Sequence, residues 1–507
     1  MHLPCLVVLL GLSASSFAGV TVQKPGLVVP PAYASHRDDA EKLFVTSYNA
    51  YREFAFGHDD LSPVSKSFSD GRNGWGASIV DAMDFFNEAV NFSSNIDFSK
   101  SQTSDTVSLF ETTIRYVGGL LSAYELSGEA YPVLVTKAKE VADKMAFAWV
   151  GSNIAEAGTL SLEWFTLSKY TNNATYANLT AKSVKRIASL VRLAAQGIDP
   201  SSGQFVGGYT WGGGSDSYFE YLLKYARLTN TDDTTFIDTW KTAVDSSIKT
   251  LLRTSTVGNH LYLADFDGQR LIRHVGSHLA CFYAGNWLLG GKLLQNQTII
   301  DIALELNEGC WNTYASTVTG IGPEAFAYIS SDGNFTGGGG ISSSQLAFYK
   351  QNGFYITASD YIQRPEVLES NFHAWRVTGD TKYLDRAASA IASFNRFLPA
   401  TVAFAGLNDV NSRNGGLIDD MESFWFAEVL KYLYLTFDDP EHISLDDYVF
   451  NTECQPFKAP PALSSYAGSG KLIPQKPFTA QSGQLPAISP NPNLPVPLKT
   501  IINPQGF

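Results

Sequence analysis

Apolar residues recur at three- and four-residue spacing through most of the chain from about residue 40 to 436. The clearest runs are Thr112–Tyr124, Tyr131–Phe147, Leu160–Tyr170, Tyr218–Leu228, Phe236–Leu252 and Tyr383–Phe397. Each predicts a helix with one buried face. Four pairs of runs are joined by similar short turns: Leu126-Ser127-Gly128, Thr171-Asn172-Asn173, Thr229-Asn230-Thr231 and Thr378-Gly379-Asp380. The pattern is a helical hairpin repeated with little identity between copies. It yields about thirteen helices, one short of a closed ring of pairs, and an open helical solenoid fits the periodicity equally well. Long glycine-rich connections lie between hairpins, at Ser62–Ala77, Asp199–Ser217, Thr254–Gln269 and Ser330–Ser344. Connections of that length often carry function. After Phe457 the composition turns to Pro, Ser and Gln, so 19–457 reads as one helical unit and 458–507 as a tail or wrapped extension without a core.

The stretch that organises the rest is Arg364-Pro365-Glu366-Val367-Leu368-Glu369-Ser370. Pro365 suits a first helical position. The helix is expected to run to about Gly379, where Gly379-Asp380-Thr381 breaks it and caps the next. Glu366 and Glu369 then share a face near the positive end of the helix dipole. The arrangement recurs at what read as helix starts: Asp81 with Asp84, Glu111, Asp216 with Glu220, Glu324 in Gly322-Pro323-Glu324, and Glu422 with Glu428. Any one of these is what a solvated helix start looks like. Glu220, however, lies amid apolar residues four positions after Asp216. Buried carboxylates are costly unless paired or bound to a cation, so a ring of them implies a polar central pocket. Carboxylate pairs beside an aromatic-walled cleft are what glycoside hydrolysis requires.

Composition narrows the classes. A chain of 507 residues with 44% apolar and 13% aromatic content fits a globular protein, and its net charge of −13, with no basic stripe standing out, argues against a nucleic-acid partner. Residues 1–18 read as a secretory signal, with an apolar core Leu6–Leu12 and a small-residue site at Ser16-Phe17-Ala18. No later run spans a bilayer, so a secreted, soluble monomer is expected. Asn91, Asn173, Asn178, Asn296 and Asn334 are candidate glycan acceptors, which suits that compartment. Removing Cys5 with the signal leaves Cys281, Cys310 and Cys454. A zinc peptidase is the weaker rival: His274 and His278 are four apart and would share a helix face, but the Glu beside the first His is absent.

Six ordered motifs resemble glycoside hydrolase family 47, the class I alpha-mannosidases. They are Phe110–Gly119, Asp216–Lys224, His278-Leu279-Ala280-Cys281-Phe282, Arg364–Ser370, Met421–Tyr434 and Phe450-Asn451-Thr452-Glu453. The resemblance implies an all-α (αα)7 barrel, one bound Ca2+, and inverting hydrolysis of terminal alpha-linked mannose from a mannose-containing glycan. By position, Glu111 corresponds to a general acid acting through water and Glu366 to the base that activates water. Asp216 is a further catalytic carboxylate whose acid or base role stays open. Thr452 corresponds to the calcium ligand. Asp81, Asp84, Arg115, Glu220, Glu324, Arg364, Glu369, Phe424 and Glu428 would bind or shape the sugar site, with Glu422 and Glu453 as supporting acids. Cys281 and Cys310 match a family disulfide, the pairing preferred in an oxidising compartment, with Cys454 free.

The departures concern the rim. Asp81-Ala82-Met83-Asp84-Phe85-Phe86 replaces Asp-Ser-Leu-Asp-Thr-Leu, and Cys454-Gln455 replaces Ala-His. Ala148-Trp149-Val150-Gly151 leads almost directly to Ala157-Gly158-Thr159-Leu160 without the family's Gly-Ile-Pro segment. Gly214 stands where an endoplasmic-reticulum-type enzyme carries Arg. A shortened rim admits a linkage other than the usual alpha-1,2, such as alpha-1,6. The competing class is a catalytically weak glycan-binding protein of glycoprotein quality control.

Overall fold

The computed structural model describes residues 19–82, 86–146, 153–189, 196–199, 204–269 and 271–471. The expected signal, Asp84, the stretch after Phe147 that lacks the family's Gly-Ile-Pro segment, and the tail beyond 471 lie outside them. Seven helix pairs close into a barrel. The inner wall runs through Ala77–Asp81, the bent rod from Leu109 to Leu126, Ile154–Gly158 with Ser161–Thr171, Asp216–Thr229, Phe282–Leu293, Glu366–Thr378 and Trp425–Phe437. Outer partners are Phe86–Ser94, Pro132–Met145, Thr175–Ser189, Thr235–Thr250, Gln297–Ala315, Lys382–Phe397 and, from the start of the chain, Ser35–Phe54. Ala77–Asp81 has five residues, too few for a periodicity to register, and it closes the ring that the pattern left open. Among the described residues no helix is long and apolar enough to cross a membrane.

The four hairpin turns share one backbone device. Gly128, Asn172, Asn230 and Gly379 all adopt left-handed φ, at 67°, 50°, 49° and 67°. Glycine and asparagine are the residues that tolerate that region, so the polar turns end each inner helix with a reversal. Asp380 accepts from the Lys382 N–H at 3.0 Å and so starts the next helix, as its sequence predicts. Pro365 sits one residue before the helix rather than on its first turn.

The runs also hide some β structure. The pattern over Phe236–Leu252 ends in the strand Leu252–Thr254, paired with Leu261–Leu263. Strands Val275–Ser277, Ala325–Ala327 and Tyr355–Ala358 form an antiparallel sheet with Ala325–Ala327 in the middle. Glu324 therefore precedes a strand and not a helix: sheet pairing on both sides overrides the acid-after-proline signal. The sheet has a functional consequence. Because Ala325 faces Ser277 on one side and Ala358 on the other, His278, Glu324 and the approach to Arg364 all emerge from the same end.

The far end of the barrel is closed by the hairpin of Tyr448–Phe450 and Pro456–Lys458. Residues 459–471 continue over the outer surface. The Val20 N–H reaches Leu463 O, Arg227 reaches Pro460 O, and the Tyr466 hydroxyl donates to Asn230. This much of the expected tail is a wrapped extension.

Cys281 and Cys310 are joined, stapling the start of an inner helix to its outer partner, and Cys454 is free and buried. Replacing both bridged cysteines by serine is expected to lower unfolding free energy by about 2–5 kcal/mol, read from denaturant melts. Of the candidate glycan acceptors, Asn91, Asn178 and Asn334 are exposed, while the Asn296 side chain caps a helix by accepting from Ile299.

Candidate active site

The inner helices surround a cavity of about 400 Å3. Glu111, Arg115, Asp216, Glu220, Arg364, Glu366, Glu369, Glu422, Phe424, Glu428, Thr452 and Glu453 all line it. Twelve residues spread over more than three hundred positions of sequence thus converge on one pit. Asp81 and Glu324 do not line it. Asp81 is fully buried behind Arg115, 3.6 Å away, because its short helix ends beneath the wall. Glu324 takes the Arg364 Nε–H with both oxygens, at 2.8 and 2.7 Å. Both acids brace arginines instead of meeting a sugar.

Two inner helices widen into π-helical turns beside the pit, Thr113–Val117 and Trp425–Leu430. Such bulges are frequent at functional sites. The first carries Arg115, whose Nε donates to Glu111 at 2.8 Å and whose Nη1 donates to Ser423 at 3.0 Å and to Glu453. Its guanidinium lies 5.8 Å from the centre of the Phe424 ring. The second carries Glu428.

Electrostatics separates the three carboxyls expected to be catalytic. Burial alone would raise Glu111, but Arg115 and Arg72 outweigh it and hold the acid below the usual carboxylate range. Burial also opposes ionisation of Glu366, yet the His278 hydrogen bond and Arg364 bring it below its ordinary value. Asp216 goes the other way. Burial, joined by the like charges of Glu220 and Glu366, pushes it up to about 6 against hydrogen bonds from the Ser217 N–H and hydroxyl. One carboxyl is disposed to hold a proton and two to remain ionised.

His278, set aside above as half of a metal pair, belongs to this site. Its Nδ1 lies 2.8 Å from Glu366 Oε2, and its Nε2 lies 2.8 Å from the Tyr314 hydroxyl. A carboxylate only accepts, so Nδ1 carries the hydrogen and Nε2 accepts from Tyr314. His274 sits between two strands and pairs with Asp332 at 2.7 Å, so the two histidines share neither a helix face nor a ligand. His274 and His278 therefore form no zinc pair.

Arg72 also belongs to the site, with no sequence motif to mark it. It lines the pit and donates to Asp60 at 2.8 Å and Glu422 at 2.6 Å, with its Nε 3.9 Å from Glu111. Asp59 builds the loop that presents it. That carboxylate collects the N–H groups of Arg72, Gly74, Trp75, Gly76 and Ala77 and the Tyr116 hydroxyl. Three glycines and asparagines of the loop, Asn73, Gly74 and Gly76, take left-handed φ to make that convergence possible.

The floor comes from the C-terminal hairpin. Asn451 Oδ1 accepts from the N–H groups of Glu453 and Gln455, and its Nδ2 donates to Ile114 O and Glu163. The tip thereby presents Thr452, whose N–H donates to the Tyr221 hydroxyl at 3.2 Å, and Tyr221 donates in turn to Glu163. Around Thr452 stand Glu220, paired with Lys224, and Glu369, Glu428 and Glu453. Burial pushes Glu369 and Glu428 well up, and Glu453 to about 8. Asn451→Ala removes four hydrogen bonds among buried groups. It is expected to cost at least about 3 kcal/mol, since each orphaned buried group costs about 1–3 kcal/mol, and a lowered melting temperature checks it.

The model of glycosyl hydrolase family 47 matches residues 43–154 and 150–459. This chain belongs to family 47. The mannosyl-oligosaccharide alpha-1,2-mannosidase 1B of Aspergillus phoenicis is 38% identical over 522 aligned positions, covering 90% of this chain and 99% of that protein. The enzyme of the same description from Emericella nidulans is 36% identical, covering 89% and 98%. Among solved structures, alpha-1,2-mannosidase from Trichoderma reesei superposes with a TM-score of 0.80 at 36% identity, covering 84% of this chain and 99% of that one. Family 47 membership and the barrel both accord with the six motifs from which they were expected. The family 47 pit described above is built from the same residues that carry those motifs.

Proposed function

We propose that this family 47 alpha-mannosidase removes terminal alpha-1,2-linked mannose from mannosyl oligosaccharides with inversion, in the secretory pathway or outside the cell. The observation that carries the reading is the convergence of Glu111, Asp216 and Glu366 on one pit in a chain similar to alpha-1,2-mannosidases, with Asp216 pushed up to about 6 and Glu366 and Glu111 held low. Inverting hydrolysis needs a carboxylate that activates water and a carboxyl that protonates the leaving oxygen. Glu366, oriented by His278 and Arg364, suits the base. Asp216 is the better store for the proton. Glu111 is held ionised by its two arginines, so its part is to order the water through which the proton stored on Asp216 would reach the leaving oxygen. Arg115 and Arg364 fix the walls, and Phe424 offers an apolar face to the sugar.

The donor set at the floor fits calcium. Thr452 offers a hydroxyl and a backbone oxygen, and the surrounding side chains offer only carboxyl oxygens, the chemistry a hard cation of six to eight ligands takes. Among the described residues no three His, Cys, Asp or Glu side chains are grouped to hold a metal by themselves. Glu220, Glu369, Glu428 and Glu453 would therefore act through water. Bound there, the ion would offset their mutual repulsion and supply a contact for sugar hydroxyls.

Turnover of alpha-1,2, -1,3 and -1,6 mannobiosides, with the first-formed anomer read by NMR, tests the reading. Preference for alpha-1,2 with release of beta-mannose supports it; a retained anomer or preference for alpha-1,6 overturns it. The pH profile follows from the two directions. Glu366 must be ionised and is depressed, so activity falls only as pH drops below the usual carboxylate range. Asp216 must be protonated and is raised, so activity falls as pH rises through about 6. Asp216→Asn should abolish the alkaline limb and most of the turnover.

A further inference from the structure

Arg72 enters the pit from a loop, with its backbone pinned and its guanidinium anchored on two sides. Its N–H goes to Asp59, and its carbonyl accepts from the Tyr116 hydroxyl at 3.1 Å. Tyr116 belongs to the π-helical turn Thr113–Val117, which also carries Arg115. One distortion of one helix thus serves both arginines. Nη1 of Arg72 donates to Asp60 and Nη2 to Glu422, at 2.8 and 2.6 Å. The remaining donor, Nε–H, is sealed from solvent and has no acceptor within hydrogen-bonding distance among the described residues. Glu111 Oε2 stands 3.9 Å from it.

A buried donor without an acceptor is costly, so its place calls for a reason. Glu111 supplies one. That carboxylate takes Arg115 Nε–H on Oε2 at 2.8 Å, and its side chain keeps 40% of its surface open. A shift of about 1 Å toward Arg72 would bring the same oxygen to an ordinary hydrogen bond of about 2.9 Å. Glu453 stands beyond Arg115, Glu422 beyond Arg72, and Asp216 and Glu366 line the same pit. All four are acids. Burial presses Glu111 toward its neutral form, and Arg115 followed by Arg72 keeps it a carboxylate.

We infer that Arg72 is a positioning residue for proton delivery: it keeps Glu111 an acceptor for the water that protonates the leaving oxygen. This rests on the proposed alpha-mannosidase reaction. In that step the bond from the anomeric carbon to the leaving oxygen breaks, and the oxygen keeps the electron pair. It takes a proton from the ordered water, which is made whole by the proton of Asp216. The attacking water adds to the anomeric carbon and gives its own proton to Glu366. An ionised Glu111 only accepts, so it orients the ordered water. A neutral Glu111 would donate to that water and compete with Asp216 for its lone pairs.

The test compares the parent with Arg72→Gln on an alpha-1,2-mannobioside, whose leaving oxygen needs a proton, and on alpha-mannosyl fluoride, whose leaving fluoride needs none. On the mannobioside the variant is expected to lose about a hundredfold in kcat, the lower end of what general acid catalysis supplies. Its acid limb moves to higher pH, because without Arg72 the Glu111 carboxyl rises. On the fluoride kcat stays within about threefold, and the acid limb keeps the position that Glu366 gives it. Equal losses on the two substrates, as a structural fault in the pit would give, overturn the assignment. So does no loss on either, or an acid limb on the mannobioside that stays in place. Should Arg72→Gln lose its fold, judged by melting temperature, Arg72→Lys takes its place, with the contrast between substrates as its criterion. Its ammonium pairs with Asp60 and Glu422 and leaves nothing beside Glu111. A parent enzyme that hydrolyses neither substrate would instead refute the proposed mannosidase activity, which keeps the two failures apart.

Discussion

Glu366→Gln lowers kcat by about a thousandfold, within the range that general-base catalysis supplies, while substrate still binds. Glutamine keeps the volume and can accept from His278 Nδ1–H, so the chain Tyr314–His278–residue 366 remains hydrogen-bonded. What it loses is the charge that Arg364 faces at 3.7 Å and the capacity to take a proton from water. KM should therefore change little and the melting temperature should stay near that of the parent. Retention of even a tenth of the activity would reassign the base. His278→Ala offers a second view of the same group. Without its donor, the Glu366 carboxyl rises, so the acid limb of the pH profile moves to higher pH while the alkaline limb stays in place.

Removing divalent cations gives the second large effect. Chelation is expected to abolish turnover and to lower the melting temperature, both restored by Ca2+ and not by Mg2+, which demands smaller, stricter octahedral geometry. A cation held at a thousand times its Kd contributes about 4 kcal/mol to the folded state. The carboxyl groups of Glu369, Glu428 and Glu453 lie in one buried region, so their repulsion adds to the loss when the charge is withdrawn. Activity and melting temperature that ignore the chelator would remove calcium from the proposal.

Much of the barrel was legible because most inner helices repeat an apolar stripe and four of them end at a Gly or Asn (Gly128, Asn172, Asn230, Gly379) that takes left-handed φ. The acids were legible for a related reason: Glu220 and Glu369 sit where the stripe demands apolar residues, and only a shared polar pit explains that. Other parts were not. Glu324 carries a helix-start signal after Pro323, and only long-range strand pairing shows that it belongs to a sheet edge. Asp81 looks equivalent to Glu111 in its local pattern, yet the brevity of its helix buries it behind Arg115. The importance of Arg72 depends on five backbone N–H groups converging on Asp59, which no side-chain pattern records. His278 was quoted within a motif, but its spacing from His274 suggested a metal, whereas the intervening strand sends the two rings to different acids.

The C-terminal hairpin places the last of the site's residues, Thr452 and Glu453, about four hundred positions after Arg72 along the chain. A nascent polypeptide that has assembled every inner helix through Phe437 has its walls and its three principal acids, yet lacks the plug that bears the threonine. Competence to hydrolyse is thereby deferred until synthesis is nearly done, and a chain that stops between Phe437 and Thr452 is expected to keep its walls and lack enzymatic power.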